Sequence, residues 1–257
     1  VRIVVSAKMP TGRGTWPAIW MMPLMNAYGG WPNSGEIDIM EFVGYDPDTI
    51  HSTIHTRSFN HKLGTQLGYS KDVVGVSDGF FMYELVWSPG KLLTYVNGQQ
   101  IGFGFSYNAA FNDDVPYHYA FPFDREFFLI LNLAIGGDWG GVQGVDASAF
   151  PTTLEVDYVR IYKLDYATID TEVPSTPTNL NLGRLKNSVY WTPSTDDYGV
   201  EAYEIYRDGN YYMDTSLNQL ILTGLIPNQS YQIQVRAVDF VGRRSELSDP
   251  ISITYQS

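Results

Sequence analysis

Residues 34–44 read Ser-Gly-Glu-Ile-Asp-Ile-Met-Glu-Phe-Val-Gly, so three acids, Glu36, Asp38 and Glu41, sit within six residues of an otherwise apolar run. Side chains of a regular strand alternate between faces, which puts Glu36 and Asp38 together and sends Glu41, five positions on, to the opposite side. One surplus residue repairs the parity. If Met40 sits in a β-bulge, Glu41 rejoins the face of Glu36 and Asp38, while Ile37 and Ile39 fill the core. Three aligned carboxylates repel one another when ionised, so such a site shares protons and drives at least one pKa upward. Two carboxyl groups about 5–5.5 Å apart, one ionised and one protonated, are what retaining glycoside hydrolysis requires. A merely solvated acidic face would alternate with Lys, Thr or Ser rather than with Ile, Ile and Met. Aligned carboxylates also suit calcium or magnesium, but hard-cation sites usually bend the chain around the ion, and this strand-like run has no Asn or Gly between its acids. No metal is expected at the trio.

Aromatic residues flank the acids. Trp16, Ala18 and Trp20 alternate onto one face of the preceding run, and Trp31 lies in the loop that leads into Glu36. An indole covers the C–H patch of a pyranose while the sugar hydroxyls stay free for hydrogen bonds; ordinary core packing is the competing reading for each ring. His51, Thr53 and His55 also alternate onto one face, and with His61 they include three of the chain's four histidines. Further zinc ligands are not offered nearby, so hydrogen bonding to a carboxylate or a sugar hydroxyl is the preferred role. Trp139 stands in Gly-Gly-Asp-Trp-Gly-Gly, where glycines permit close backbone approach.

The elements that must carry these residues read as strands. Runs of strand length recur at 2–8, 37–43, 80–87, 92–96, 127–133 and 156–162, separated by turn signals. Asn97-Gly98 supplies the two positive-φ residues of a type I′ hairpin. No helical period is sustained, and parallel sheets need long crossovers, so the fold class is all-β, with antiparallel sheets packed as a sandwich.

Composition narrows the partners. The 257 residues carry Lys+Arg 16 against Asp+Glu 28, a net charge of −12 that leaves no basic stripe for nucleic acid. No stretch of 18 apolar residues and no basic amphipathic segment occurs, so no membrane contact is expected. Zero cysteines removes disulfides, Cys-zinc sites and thiol catalysis together. The chain begins with Val and shows no leader, so either a signal peptide was removed or the N-terminus was cut elsewhere.

After Tyr162 the text turns to a Pro-containing, core-poor stretch, which divides the chain into residues 1–165, an extended linker at 166–176 and a second domain at 177–257. The second domain resembles a fibronectin type III module over its whole length, with Leu225, Pro227 and Tyr231 at the positions of its tyrosine corner. Trp191 and Tyr231 are expected in its core.

The runs "RGTWPAIW", "GGWPNSGEIDIMEFVG", "HSTIHT", "PFDREFFLILNLAIGGDWGG" and "LEVDYVRIY" resemble the laminarinase branch of family-sixteen glycoside hydrolases across nearly all of residues 1–162. The resemblance implies a concave β-jelly-roll sandwich and endo-hydrolysis of β-1,3-glucan with retention. It also implies Glu36 as nucleophile, Asp38 as assisting carboxylate and Glu41 as general acid/base, with Trp16, Trp20, Trp31, His55 and Trp139 as substrate-binding positions. Asp157 matches a position that contributes to a structural calcium in relatives; no other cofactor is implied. The chain opens where the family already has several strands behind it, so N-terminal strands are expected to be missing. A β-glucan partner, a monomer and secretion from a bacterium complete the expectation. Two alternatives stay open: a glucan-binding fragment without turnover, and the same chemistry on agar, carrageenan or mixed-linkage glucan.

Overall fold

A computed structural model describes residues 1–106 and 116–255. The chain divides into two compact units, one built from residues up to Leu164 and one from Asp165 onward. Strands β1 (Arg2–Lys8), β2 (Thr15–Pro23), β3 (Glu36–Val43), β4 (Asp46–His55), β5 (Leu67–Asp72), β6 (Phe81–Ser88), β7 (Lys91–Val96), β8 (Gln99–Gln100), β9 (Phe105–Ser106), β10 (Phe127–Ile135) and β11 (Glu155–Tyr162) form the first unit. They make two antiparallel sheets, β11-β1-β6-β7-β8 with β9 alongside β7, and β10-β2-β3-β4-β5. The alternation read from the sequence is realised: Ile3, Val5 and Ala7 of β1, Ile19 and Met21 of β2, and Tyr83 and Leu85 of β6 point into one buried core. Asn97 (φ 47°) and Gly98 (φ 75°) turn β7 into β8, as expected of a type I′ hairpin. A single helical turn, α1 (Tyr117–Ala120), interrupts this unit.

Each sheet ends in a thinly covered strand. Val159 and Ile161 of β11 pair with Val5 and Ile3, which are buried, yet they are themselves 42% and 66% exposed. β10, at the end of the other sheet, has no fully buried residue.

The second unit holds a helical turn, α2 (Tyr166–Ile169), followed by β12 (Thr178–Leu182), β13 (Ser188–Thr192), β14 (Val200–Arg207), β15 (Asn210–Thr215), β16 (Gln219–Ile221), β17 (Ser230–Asp239) and β18 (Ile251–Thr254). Sheets β12-β13-β16 and β15-β14-β17-β18 enclose Trp191, Tyr203, Ile205, Tyr231, Ile233 and Val235. The tyrosine corner is formed: the Ile226 backbone N–H donates to the Tyr231 hydroxyl at 2.9 Å. Residues 166–176 differ from the extended linker expected of them. Tyr166 stacks on Phe240 at 4.5 Å and Asp170 is buried, because apolar and charged partners inside the second unit capture the segment.

Candidate active site

β3 is the middle strand of its five-stranded sheet. It is entered through Gly35, whose φ of +89° favours glycine and where a Cβ would stand 2.8 Å from the Phe123 ring. Against β2, Met40 pairs with Ile19 and Asp38 with Trp20, so Ile39 has no partner. Against β4, Asp38 opposes Thr53 and Glu41 opposes His51, so two residues, Ile39 and Met40, stand between the pairs on β3 against one, Ser52, on β4. The surplus residue therefore lies between Asp38 and Glu41, as the parity of the acids requires. Ile37, Ile39, Met40 and Phe42 are all buried in the core, and the three acids share the opposite face.

Their environments differ. Asp38 is 2% exposed, and burial followed by the charges of Glu41 and Glu36 holds its carboxyl well above the usual aspartate range. Asp38 shares a hydrogen bond with Glu36, and the Trp31 indole N–H donates to the same Glu36 carboxylate. Burial raises Glu36 while these two hydrogen bonds and His61 pull it back down. Glu41 is pushed up to about 7, mainly by burial and then by Glu36, against a hydrogen bond of 3.1 Å from the Trp16 indole N–H. At neutral pH Glu41 thus keeps a substantial protonated fraction, as the proton donor of an acid-assisted displacement must.

The rings bracket the acids at both ends. Trp31 lies 4.9 Å from His61 and 5.9 Å from His55, with the Lys62 ammonium 4.8 Å from its centroid. Trp16 meets Trp139 edge-on at 5.7 Å, and Trp139 meets His51 at 4.8 Å. Gly140 lets the Trp139 loop lie on Trp16, since a Cβ there would fall 2.7 Å from the Trp16 Cβ. Trp20, opposite Asp38, donates its indole N–H to Asn132 at 2.7 Å. Asn132 was not among the residues singled out from the sequence, although it is the one polar side chain in the β10 run, and its register partner is Ala18, between the two tryptophans.

His55 has a different position from the one expected. It is 7% exposed, with Nε2 3.4 Å from Asp38 Oδ2, and burial lowers its pKa to about 4, so it is a neutral group packed beside the acids rather than an open sugar contact. Oxygen and nitrogen atoms of Glu36, Asp38 and His55 lie within 4.8 Å of one another, close enough in principle to hold a cation. Asp157 is exposed on β11 and belongs to neither group of potential metal ligands among the described residues.

Comparison with known proteins adds to this geometry. Residues 2–160 match glycosyl hydrolases family 16, and residues 175–254 match the fibronectin type III domain. A beta-glucanase of Rhodothermus marinus is 46% identical over 164 residues, covering 63% of this chain and 57% of the relative. A keratan-sulfate endo-1,4-beta-galactosidase of Sphingobacterium multivorum is 38% identical over 247 residues, covering 90% of this chain and 51% of the relative. The solved laminarinase of Rhodothermus marinus superposes with a TM-score of 0.60 at 46% identity, covering 63% of this chain and 64% of that one. The chain thus spans between about half and three fifths of the length of these two curated relatives.

Proposed function

The chain belongs to glycosyl hydrolases family 16 through its residues 2–160, and from that premise we propose a retaining, endo-acting hydrolase of β-1,3-glucan. The observation that carries the reading is the shared face of Glu36, Asp38 and Glu41 with Glu41 raised to about 7. A glucan strand stacks on Trp16, Trp20, Trp31 and Trp139. Glu41 protonates the glycosidic oxygen as Glu36 attacks the anomeric carbon, forming a covalent glycosyl-enzyme and releasing the downstream chain. Glu41, now ionised, takes a proton from water, and that water displaces Glu36 to release the sugar with its original configuration. Asp38, hydrogen-bonded to Glu36, holds the nucleophile's orientation and eases its charge between the two steps. A polymer too large to enter a cell places this work outside it.

One observation favours a second substrate: the endo-galactosidase is the relative described above that aligns across both units. A sulfated polymer is disfavoured by the net charge of −12. Reducing-end release from laminarin, mixed-linkage glucan, agarose, carrageenan and keratan sulfate separates the candidates, with laminarin expected to be cut fastest. Glu36→Gln is expected to abolish release while glucan binding persists; binding by the native chain without any release would leave a recognition module instead.

A further inference from the structure

The fibronectin-like unit contains a cluster of acids that glycoside cleavage does not use. Asp170 follows α2, Asp196 and Asp197 lie between β13 and β14, and Asp239 ends β17. Oxygens of Asp170, Asp196 and Asp197 approach within 4.8 Å of one another. Asp170 and Asp239 are 1% and 0% exposed. Arg243 reaches the two buried ones: its Nη1 lies 2.9 Å from Asp170 Oδ1 and 3.5 Å from Asp239 Oδ2, and its Nη2 donates to the Asp170 carbonyl.

The decisive atom is Asp170 Oδ2. It is fully buried and has no hydrogen-bond partner, and Asp170 is one of the three residues whose oxygens gather. An ionised carboxylate oxygen taken out of water without a partner is costly, so some positive charge must answer it. The oxygens come from three carboxylates on two separate stretches of chain, with no Cys or His among them. That donor set suits a hard cation of flexible coordination rather than zinc, and calcium tolerates such irregular geometry better than magnesium, which demands a near-ideal octahedron.

We infer that Asp170, Asp196 and Asp197 form a calcium site that fastens the segment ahead of β12 to the loop between β13 and β14. Two contacts already begin that fastening: the Thr171 backbone N–H donates to Asp197 Oδ2 at 3.3 Å, and Tyr166 stacks on Phe240. Calcium ties the three carboxylates into one knot and leaves its remaining coordination positions to carbonyls and water.

The test uses the full chain stripped with EGTA and titrated with CaCl2 by calorimetry. One ion per chain is expected in the wild type, with affinity at least about tenfold weaker in Asp197→Asn and unchanged in Glu36→Gln. Limited proteolysis of the wild type, which needs no variant, is expected to slow within residues 165–177 when calcium is added. Absence of binding at millimolar calcium, binding undiminished in folded Asp197→Asn, binding lost in Glu36→Gln, or cleavage indifferent to calcium would each overturn the assignment.

Discussion

The indole N–H of Trp16 donates to Glu41 Oε1 at 3.1 Å, so in the proposed mechanism one ring serves both as a stacking surface for sugar and as a hydrogen-bond partner of the proton donor. Substrate seated on Trp16 is thereby held beside the acid that must protonate it. The same hydrogen bond favours the ionised form of Glu41, opposing the burial that raises it.

The alkaline limb of the rate profile follows from Glu41. The donor must be protonated, so kcat is expected to fall as pH rises through about 7. Replacing Trp16 with Phe removes the hydrogen bond and moves that limb to higher pH, alongside a rise in KM from poorer stacking. A limb that stays in place in Trp16→Phe would detach Glu41 from the acid role. Glu41→Gln is expected to lower turnover by about 10²–10⁴-fold.

In the proposed mechanism Asp38 acts through Glu36, so its two replacements should separate. Asp38→Asn keeps a donor toward Glu36, whereas Asp38→Ala removes one and costs about a hundredfold or more in kcat. Without the donor the Glu36 pKa rises, so the acid limb of kcat/KM in the alanine variant moves upward. Equal losses with unshifted profiles would reduce Asp38 to packing.

Deleting Ile39, the residue without a partner on β2, tests the bulge that was expected at Met40. Without the surplus residue Glu41 turns toward Ile19, Met21 and Leu85, and carboxyl burial there costs at least about 2 kcal/mol. Thermal unfolding should show a lower midpoint for the first unit together with loss of glucan cleavage. A deletion variant that keeps full activity would mean that the acids do not depend on that extra residue.

Stability should depend on pH in a definite direction. Glu36, Asp38 and Glu41 all have raised pKa values in the folded chain, whereas burial lowers His51 and brings His55 to about 4, so the acids set the sign above the unfolded imidazole value of about 6.5, where they bind more protons folded than unfolded. Their contribution is complete below the unfolded carboxylate values and is lost as pH rises through the folded ones, so the unfolding midpoint of the first unit should fall across that range. Calorimetry of Glu41→Gln should show a shallower fall; an identical slope would place the effect elsewhere.

The sequence made the trio legible because its spacing contradicts strand parity: Glu41 is misplaced unless one residue is surplus, and an apolar Ile-Ile-Met filling argues against a solvated face. The hairpin at Asn97-Gly98 and the limits of β1 were equally readable, since turn chemistry and alternation are local. His55 was not, because alternation gives its face but not its depth beneath neighbouring rings. Asn132 was visible as a polar interruption in an apolar strand, but its meaning depends on which strand lies beside it. Asp170, Asp196 and Asp239 are spread over 70 residues of sequence, and only tertiary folding brings them together. The same holds for residues 166–176, whose prolines suggest extension until Phe240 and Arg243 supply partners.

Because β3 is third of five strands, any opening that begins at a rim must unzip two neighbours before the acids lose their alignment. β10 and β11, with their half-bare apolar side chains, are where the molecule should weather first, and amide exchange should be fastest there and slowest along β3. The proposed cutting chemistry is mounted at the most sheltered position of the sheet, so wear at the margins should blunt solubility well before it blunts cutting.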